Sequence, residues 1–144
     1  MDKKEPAVMT VALHQDDRGF VYCALDNMDQ LGIKRTYLVE NFSKGRVRAW
    51  HGHRKADTYI HVLQGAVKLA AMDMDDHSRL QVVTLTGRKP QVFFVPAGWY
   101  NGAYSLTDGT KLIVYSTLSF EEVKNDDERL GWKTNIEIWK VENR

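Results

Sequence analysis

Residues 45–65, GRVRAWHGHRKADTYIHVLQG, hold three of the chain's five histidines, His51, His53 and His61, beside Arg46, Arg48, Arg54 and Lys55. An H-x-H pair puts two titratable rings on one face of a strand, because successive side chains alternate between faces. Three readings of such a strand are open. The pair can ligate a metal with Asp57 as a third donor, although zinc, iron or copper prefers a further nitrogen or sulfur ligand. Histidine also titrates near neutrality, so it can take a proton from a carbon made acidic by an adjacent ketone. The enolate so formed needs a cation or donor beside it, and Arg48, Lys55 and Arg46 stand in the same segment. Inverting a stereocentre would need a proton donor on the opposite face, for which Tyr59, Tyr100, Tyr104 and Tyr115 are available. In the third reading the histidines are solvent-facing groups on an edge strand. His61 sits in an apolar run and reads as structural, while His14 and His77 lie beside turn signals and read as exposed.

The elements that must position these residues are strands. Segments 8–14, 20–25, 34–41, 58–64, 66–74, 80–86, 91–96 and 110–118 are short and rich in β-branched and aromatic residues. Regular punctuation separates them, including DDRG, NFSKG, DMDDHS, TGRKP and PAGWYNG. About eight to ten short strands at that spacing predict an antiparallel all-β sandwich or barrel. One helix is predicted, over 120–130. On 46–53, His51 and His53 share a face, but Arg48 has the opposite parity. It joins them only if a bulge intervenes near Ala49-Trp50.

At 144 residues the chain suits one domain, 1–144. A net charge of +1 without a basic stripe argues against a nucleic-acid partner. The first residues, MDKKEPAVMT, lack the apolar core of a secretion signal, and no apolar run has membrane-spanning length. The single cysteine, Cys23, cannot form an internal disulfide and fits a reducing compartment, so a cytoplasmic protein is expected.

RAWHGHRKADTYIHVLQG (48–65) resembles the cupin-fold nucleotide-sugar enzymes, the dTDP-4-keto-6-deoxyhexose 3,5-epimerases and 3,4-ketoisomerases. The ketoisomerase pattern aligns without a gap on Arg48, His51, His53 and Gly65, and the epimerase pattern on Arg48 and His51. DDRGFVY (16–22), VPAGWYNGAYSLTDG (95–109) and DDERLGW (126–132) resemble further epimerase segments, so the likeness runs from about residue 16 to 139. It implies an RmlC-like cupin jelly roll and a cofactor-independent isomerase without a metal, acting on a nucleotide-linked 4-keto-6-deoxy sugar. The implied catalytic set is His51 as base, His53 as proton carrier, and Arg48 and Lys55 beside the enolate. The implied substrate-binding set is Arg18, Arg46, Tyr37, Asn101 and Tyr115, with arginines on the diphosphate and Tyr37 stacked on the base. A homodimer with no membrane partner is likewise implied.

Departures from the epimerase pattern are specific. Thr58 stands at a family lysine, Ser119 or Phe120 at the proton-donating tyrosine, Asn101 at a histidine, and WKT (132–134) at the W-N-D aspartate. Paired histidines favour a ketoisomerase. Loss of the turnover groups would suit a sugar-nucleotide-binding protein on the same scaffold.

Overall fold

The computed structural model describes residues 2–144. Its strands are β1 (Ala7–Thr10), β2 (Leu13–Asp16), β3 (Gly19–Tyr22), β4 (Arg35–Asn41), β5 (Val47–His53) and β6 (Thr58–Gln64). They continue with β7 (Ala66–Asp73), β8 (Leu80–Thr86), β9 (Gln91–Val95), β10 (Trp99–Ser105), β11 (Thr110–Ser116) and β12 (Glu128–Arg129). Short helical turns occupy α1 (Met28–Leu31), α2 (Phe120–Val123) and a 3-10 segment, Ile136–Trp139. One sheet runs β1-β9-β6-β11-β4 and the other β12-β5-β10-β7-β8, with β2-β3 as a separate hairpin. The two sheets share a core: Ile60, Val62, Phe93, Leu112 and Val114 of the first pack with Val67, Leu69, Ala71, Leu85 and Trp99 of the second. Among the described residues, no helix is long and apolar enough to cross a membrane.

The outer face of the first sheet is also covered, which explains the apolar run around His61. Leu25, Tyr59 and Val92 form a second cluster there, joined by Met9, Val11, Ile33 and Tyr115. His61 is 2% exposed within this layer. Its Nδ1 lies 3.0 Å from the Gln91 carbonyl, which can only accept, so Nδ1 carries the proton. Nε2 therefore accepts from the Tyr22 hydroxyl at 2.9 Å. His61 is a structural pin that ties the hairpin to the sheet.

The parity conflict at Arg48 is resolved by the backbone. Asn101 pairs with His51 and Gly102 with Ala49, so Trp50 is one residue too many in β5. The Ala49–Trp50 peptide is cis. Trp50 pairs instead with Leu130, N–H to carbonyl in both directions at 3.2 and 3.3 Å. Its indole turns to the outer face, is fully buried, and packs with Ala70, Met72, Tyr100 and Trp139. Its Nε1 donates to the Thr134 carbonyl at 3.0 Å. Beside the bulge, a Cβ on Gly102 would meet the Ala49 Cβ at 2.9 Å, and one on Gly52 would meet the Tyr100 ring at 2.5 Å. Both positions require glycine for close approach.

Three elements differ from the sequence expectation. Segment 8–14 divides into β1 and β2. Residues 99–105, read as turn because of their glycine and asparagine, form a central strand whose small residues let β5 and Trp139 come close. The helix expected over 120–130 is a single turn closed by a Ser119–Glu122 capping box, after which the chain extends into β12. Asp126, between them, holds the Arg54 and Lys55 backbone N–H groups at 2.9 Å each, which fixes the extended course.

Trp50→Ala should lose about 3–5 kcal/mol of unfolding free energy, the usual range for emptying a buried tryptophan site. Urea denaturation measures it; a loss below about 1 kcal/mol, the size expected of a surface change, would mean that the bulge is held by something else.

Candidate active site

Between the sheets, beneath α2 and β12, lies a cavity of about 350 Å³. β5 contributes Arg48, His51 and His53 to one wall, with Asn101 from β10 beside them. β4 contributes Arg35, Tyr37 and Val39 on the facing sheet, and Ile60, Leu69, Leu112 and Val114 line its apolar part. The roof carries Phe120, Val123, Lys124, Asp127 and Arg129. Four cations thus face one carboxylate, so the cavity suits an anionic ligand.

A polar chain positions Arg48. Its Nε donates to the Asn41 Oδ1 at 2.6 Å, the Asn41 amide donates to the Ser105 hydroxyl at 3.0 Å, and Ser105 meets the Thr110 hydroxyl at 3.0 Å. His53 is fixed by the Asp126 carbonyl, 2.8 Å from its Nδ1. That carbonyl can only accept, so Nδ1 carries a proton and donates it. The His51 ring has no hydrogen-bond partner among the described residues, while its carbonyl accepts from the Asn101 amide at 3.2 Å. Burial pushes the His51 pKa down. Arg129 opposes its protonation next, Asp127 pulls the other way, and His53 and Arg48 add to the depression. His51 is therefore neutral at pH 7 and able to accept a proton.

Several residues expected at the site lie elsewhere. Lys55 is exposed and outside the cavity, because Asp126 binds the two backbone N–H groups that follow β5 and turns the chain away. Arg46 is exposed ahead of β5, where its carbonyl accepts from the Ser105 N–H. Arg18 sits at the β2–β3 turn with its side chain 86% exposed and paired with Asp16 at 2.6 Å. Tyr115 alternates out of the wall that Leu112 and Val114 form and packs in the outer cluster. Asn101 and Tyr37 do line the cavity, Tyr37 with the Arg35 guanidinium 4.5 Å from its ring centre. Asp57 caps the Ala97 N–H at 2.9 Å rather than approaching His53. Among the described residues, no three His, Cys, Asp or Glu side chains gather as a metal site.

Arg35, Lys124, Asp127 and Arg129 were not anticipated, whereas Phe120 was one of two residues expected at the family's tyrosine position. Arg35 shares parity with Tyr37, so the strand pattern could have found it; the roof residues fall in the segment read as a polar helix. Tyr37 is the one tyrosine lining the cavity, and Phe120 fills the roof where a phenol was sought.

Comparison with known proteins agrees with this geometry. The family model described as dTDP-4-dehydrorhamnose 3,5-epimerase matches residues 3–140. The RmlC epimerase of Mycobacterium tuberculosis superposes with a TM-score of 0.82 at 15% identity, over 98% of this chain and 76% of that one. The 3'-monoepimerase ChmJ of Streptomyces bikiniensis, solved with dTDP-quinovose, gives 0.79 at 14% identity over 92% and 72%. The Bacillus anthracis dTDP-4-dehydrorhamnose 3,5-epimerase, solved with TDP and PPi bound, gives 0.76 at 20% over 89% and 79%. At these identities the superpositions establish the fold, an RmlC-like cupin. No curated protein matches the chain.

NMR titration of the ring protons should place the His51 midpoint below the usual histidine value of about 6.5. Arg129→Gln should raise it and Asp127→Asn lower it further, and a shift in the opposite direction for either variant would refute the assigned electrostatics. The unfolded chain takes up this proton first as pH falls, so the His51 contribution to stability is present above about pH 6.5 and is lost as pH drops toward the folded-state value.

Proposed function

Since the chain belongs to the dTDP-4-dehydrorhamnose 3,5-epimerase family, we propose that its cavity binds a nucleotide-linked 4-keto-6-deoxy sugar and isomerises it by proton transfer at His51. The observation that carries this reading is a neutral, half-buried histidine in a cationic cavity with an apolar wall. The sugar ring and its methyl group suit Ile60, Leu112 and Val114, and Arg48 meets the diphosphate with a guanidinium fork already oriented by Asn41. His51 takes the proton α to the ketone, and the C–H electrons pass into an enolate.

Epimerisation requires the proton to return from the other side, where Phe120 has no hydroxyl to give. This favours chemistry at one carbon over inversion at two. A 3,4-keto shift is the second reading, supported by His51 and His53 on one wall, since two imidazoles on one face can pass a proton between neighbouring carbons.

The working form in this proposal is a homodimer in the cytoplasm. Phe20, Val21, Leu38 and Phe42 are 59, 73, 54 and 83% exposed, apolar surface that a second copy would cover. Arg18 belongs to that hairpin surface rather than to the cavity, and the free thiol of Cys23 suits reducing conditions.

Incubation with dTDP-4-keto-6-deoxyglucose should give a new keto sugar by NMR, and His51→Asn should slow its formation by about 10²–10⁴-fold, the range for losing a general base. Unchanged turnover in that variant would exclude His51 as the base. Sedimentation of the same sample should read twice 16.6 kDa; a single-chain mass would remove the dimer.

A further inference from the structure

With Lys55 outside the cavity, Thr58 at the family's lysine position and Arg48 held by Asn41, the developing enolate lacks the lysine expected beside it. We propose that Arg35 supplies it: the guanidinium of Arg35 is a catalytic group that receives the enolate charge from the wall facing His51. This rests on the isomerase reading above.

The first support is register. Thr58 of β6 pairs with Ser116 of β11, and Ser116 pairs with Arg35 of β4, so the three lie in one row across the sheet. Ile60, Val114 and Tyr37, two positions along each strand, all line the cavity, and the row shares their inward face. Two strand spacings, about 10 Å, separate Arg35 from Thr58, and a long side chain from the edge covers most of that distance. An arginine on β4 thus stands in the same row, and on the same inward face, as a lysine on β6 would.

The second support is the state of the guanidinium. Each other cation of the cavity is engaged: Arg48 by Asn41, Arg129 by Asp127 at 3.0 Å, and Lys124 by Glu121 at 2.9 Å. Arg35 has no hydrogen-bond acceptor among the described residues, and its Nε is buried without one. Such a donor costs free energy unless something arrives to accept from it. What holds Arg35 is aromatic instead: its guanidinium carbon lies 4.5 Å from the Tyr37 ring centre and 5.7 Å from that of Phe120. The resemblance puts the family's phenol at Ser119 or Phe120, and of the two Phe120 lines the cavity, so the cation stands beside the position that a proton donor would have filled. A fixed, unneutralised cation in the cavity favours charge that develops in the transition state.

The step balances within the site. The proton leaves carbon for the His51 nitrogen, the C–H pair becomes the C=C bond, and the carbonyl π pair becomes the oxygen lone pair that Arg35 N–H groups bind. Reprotonation reverses each movement. Arg48 is left for the diphosphate: its partner Asn41 lies six residues from Arg35 along β4, about 20 Å of strand.

Deuterium exchange into the substrate in D2O, read by NMR, tests this with Arg35→Met and Arg35→Lys, alongside TDP affinity by calorimetry. Arg35→Met should slow exchange by about 10²–10³-fold, the scale of removing one transition-state donor, with TDP affinity unchanged. Arg35→Lys, which keeps charge but not the fork, should recover part of the rate. Exchange within about threefold of wild type in Arg35→Met overturns the proposal, and so does TDP affinity falling in step with the rate, which would make Arg35 a phosphate ligand. A wild-type chain that binds TDP but exchanges no deuterium removes the isomerase reading itself, and this inference with it. The variant should melt no lower than wild type, because an unpaired buried donor has been removed; a lower melting point would assign Arg35 a structural role.

Discussion

Everything at the site depends on one extra residue in β5. A regular strand would put Arg48 on the opposite face from His51 and His53. Inserting Trp50 between Ala49 and His51 restores all three to the cavity wall. The insertion is stable because Trp50 gains what it loses from the ladder. Leu130 satisfies its backbone, Thr134 accepts from its indole, and Trp139 packs on its ring at a centroid distance of 5.5 Å. Those three partners all lie in residues 130–139, so the C-terminal segment holds the bulge from outside while α2 and β12 roof the cavity from within. The same segment thus contributes to both stability and chemistry.

The two histidines that the bulge brings together are electrostatically different. His53 is held by a backbone carbonyl in a fixed orientation suited to passing a proton along a defined direction. His51 has burial, two arginines and the neighbouring His53 ring against its protonation and a single nearby carboxylate in favour. That balance keeps it neutral but still basic, which a general base working near neutrality requires. The cationic lining that depresses His51 also attracts a diphosphate. One charge distribution therefore serves both binding and proton abstraction.

Much of this was legible in the sequence, and the failures have physical causes. Alternation in segments such as TKLIVYS showed strands with one buried face, and the parity of Arg48 demanded an irregularity at the place where the register shifts. Arg46, Lys55 and Arg18 were grouped with the histidines by proximity in sequence or by family pattern. Proximity does not determine which way a side chain points once a strand has ended, and each lies outside the cavity. Conversely, Asp127 and Arg129 come from a charged stretch that reads as a solvated helix. Tertiary pairing draws that stretch across the cavity, through Asp126 on the residues after β5 and through β12 along β5 itself. Strand β10 was missed because Asn101-Gly102 signals a turn locally, whereas the close approach of Ala49 and Trp139 is what requires the glycine.

On the proposed reading, this cavity has its base on the β5 wall and Phe120, which has no hydroxyl, in its roof, and so works at a single carbon. Prolonged incubation of wild-type protein with dTDP-4-keto-6-deoxyglucose in D2O, followed by NMR assignment of every ring carbon, tests that claim directly. The account predicts deuterium at one carbon adjacent to the ketone, or moved with the ketone along one face. Deuterium at both C3 and C5 would contradict it, and so would a product inverted at both centres.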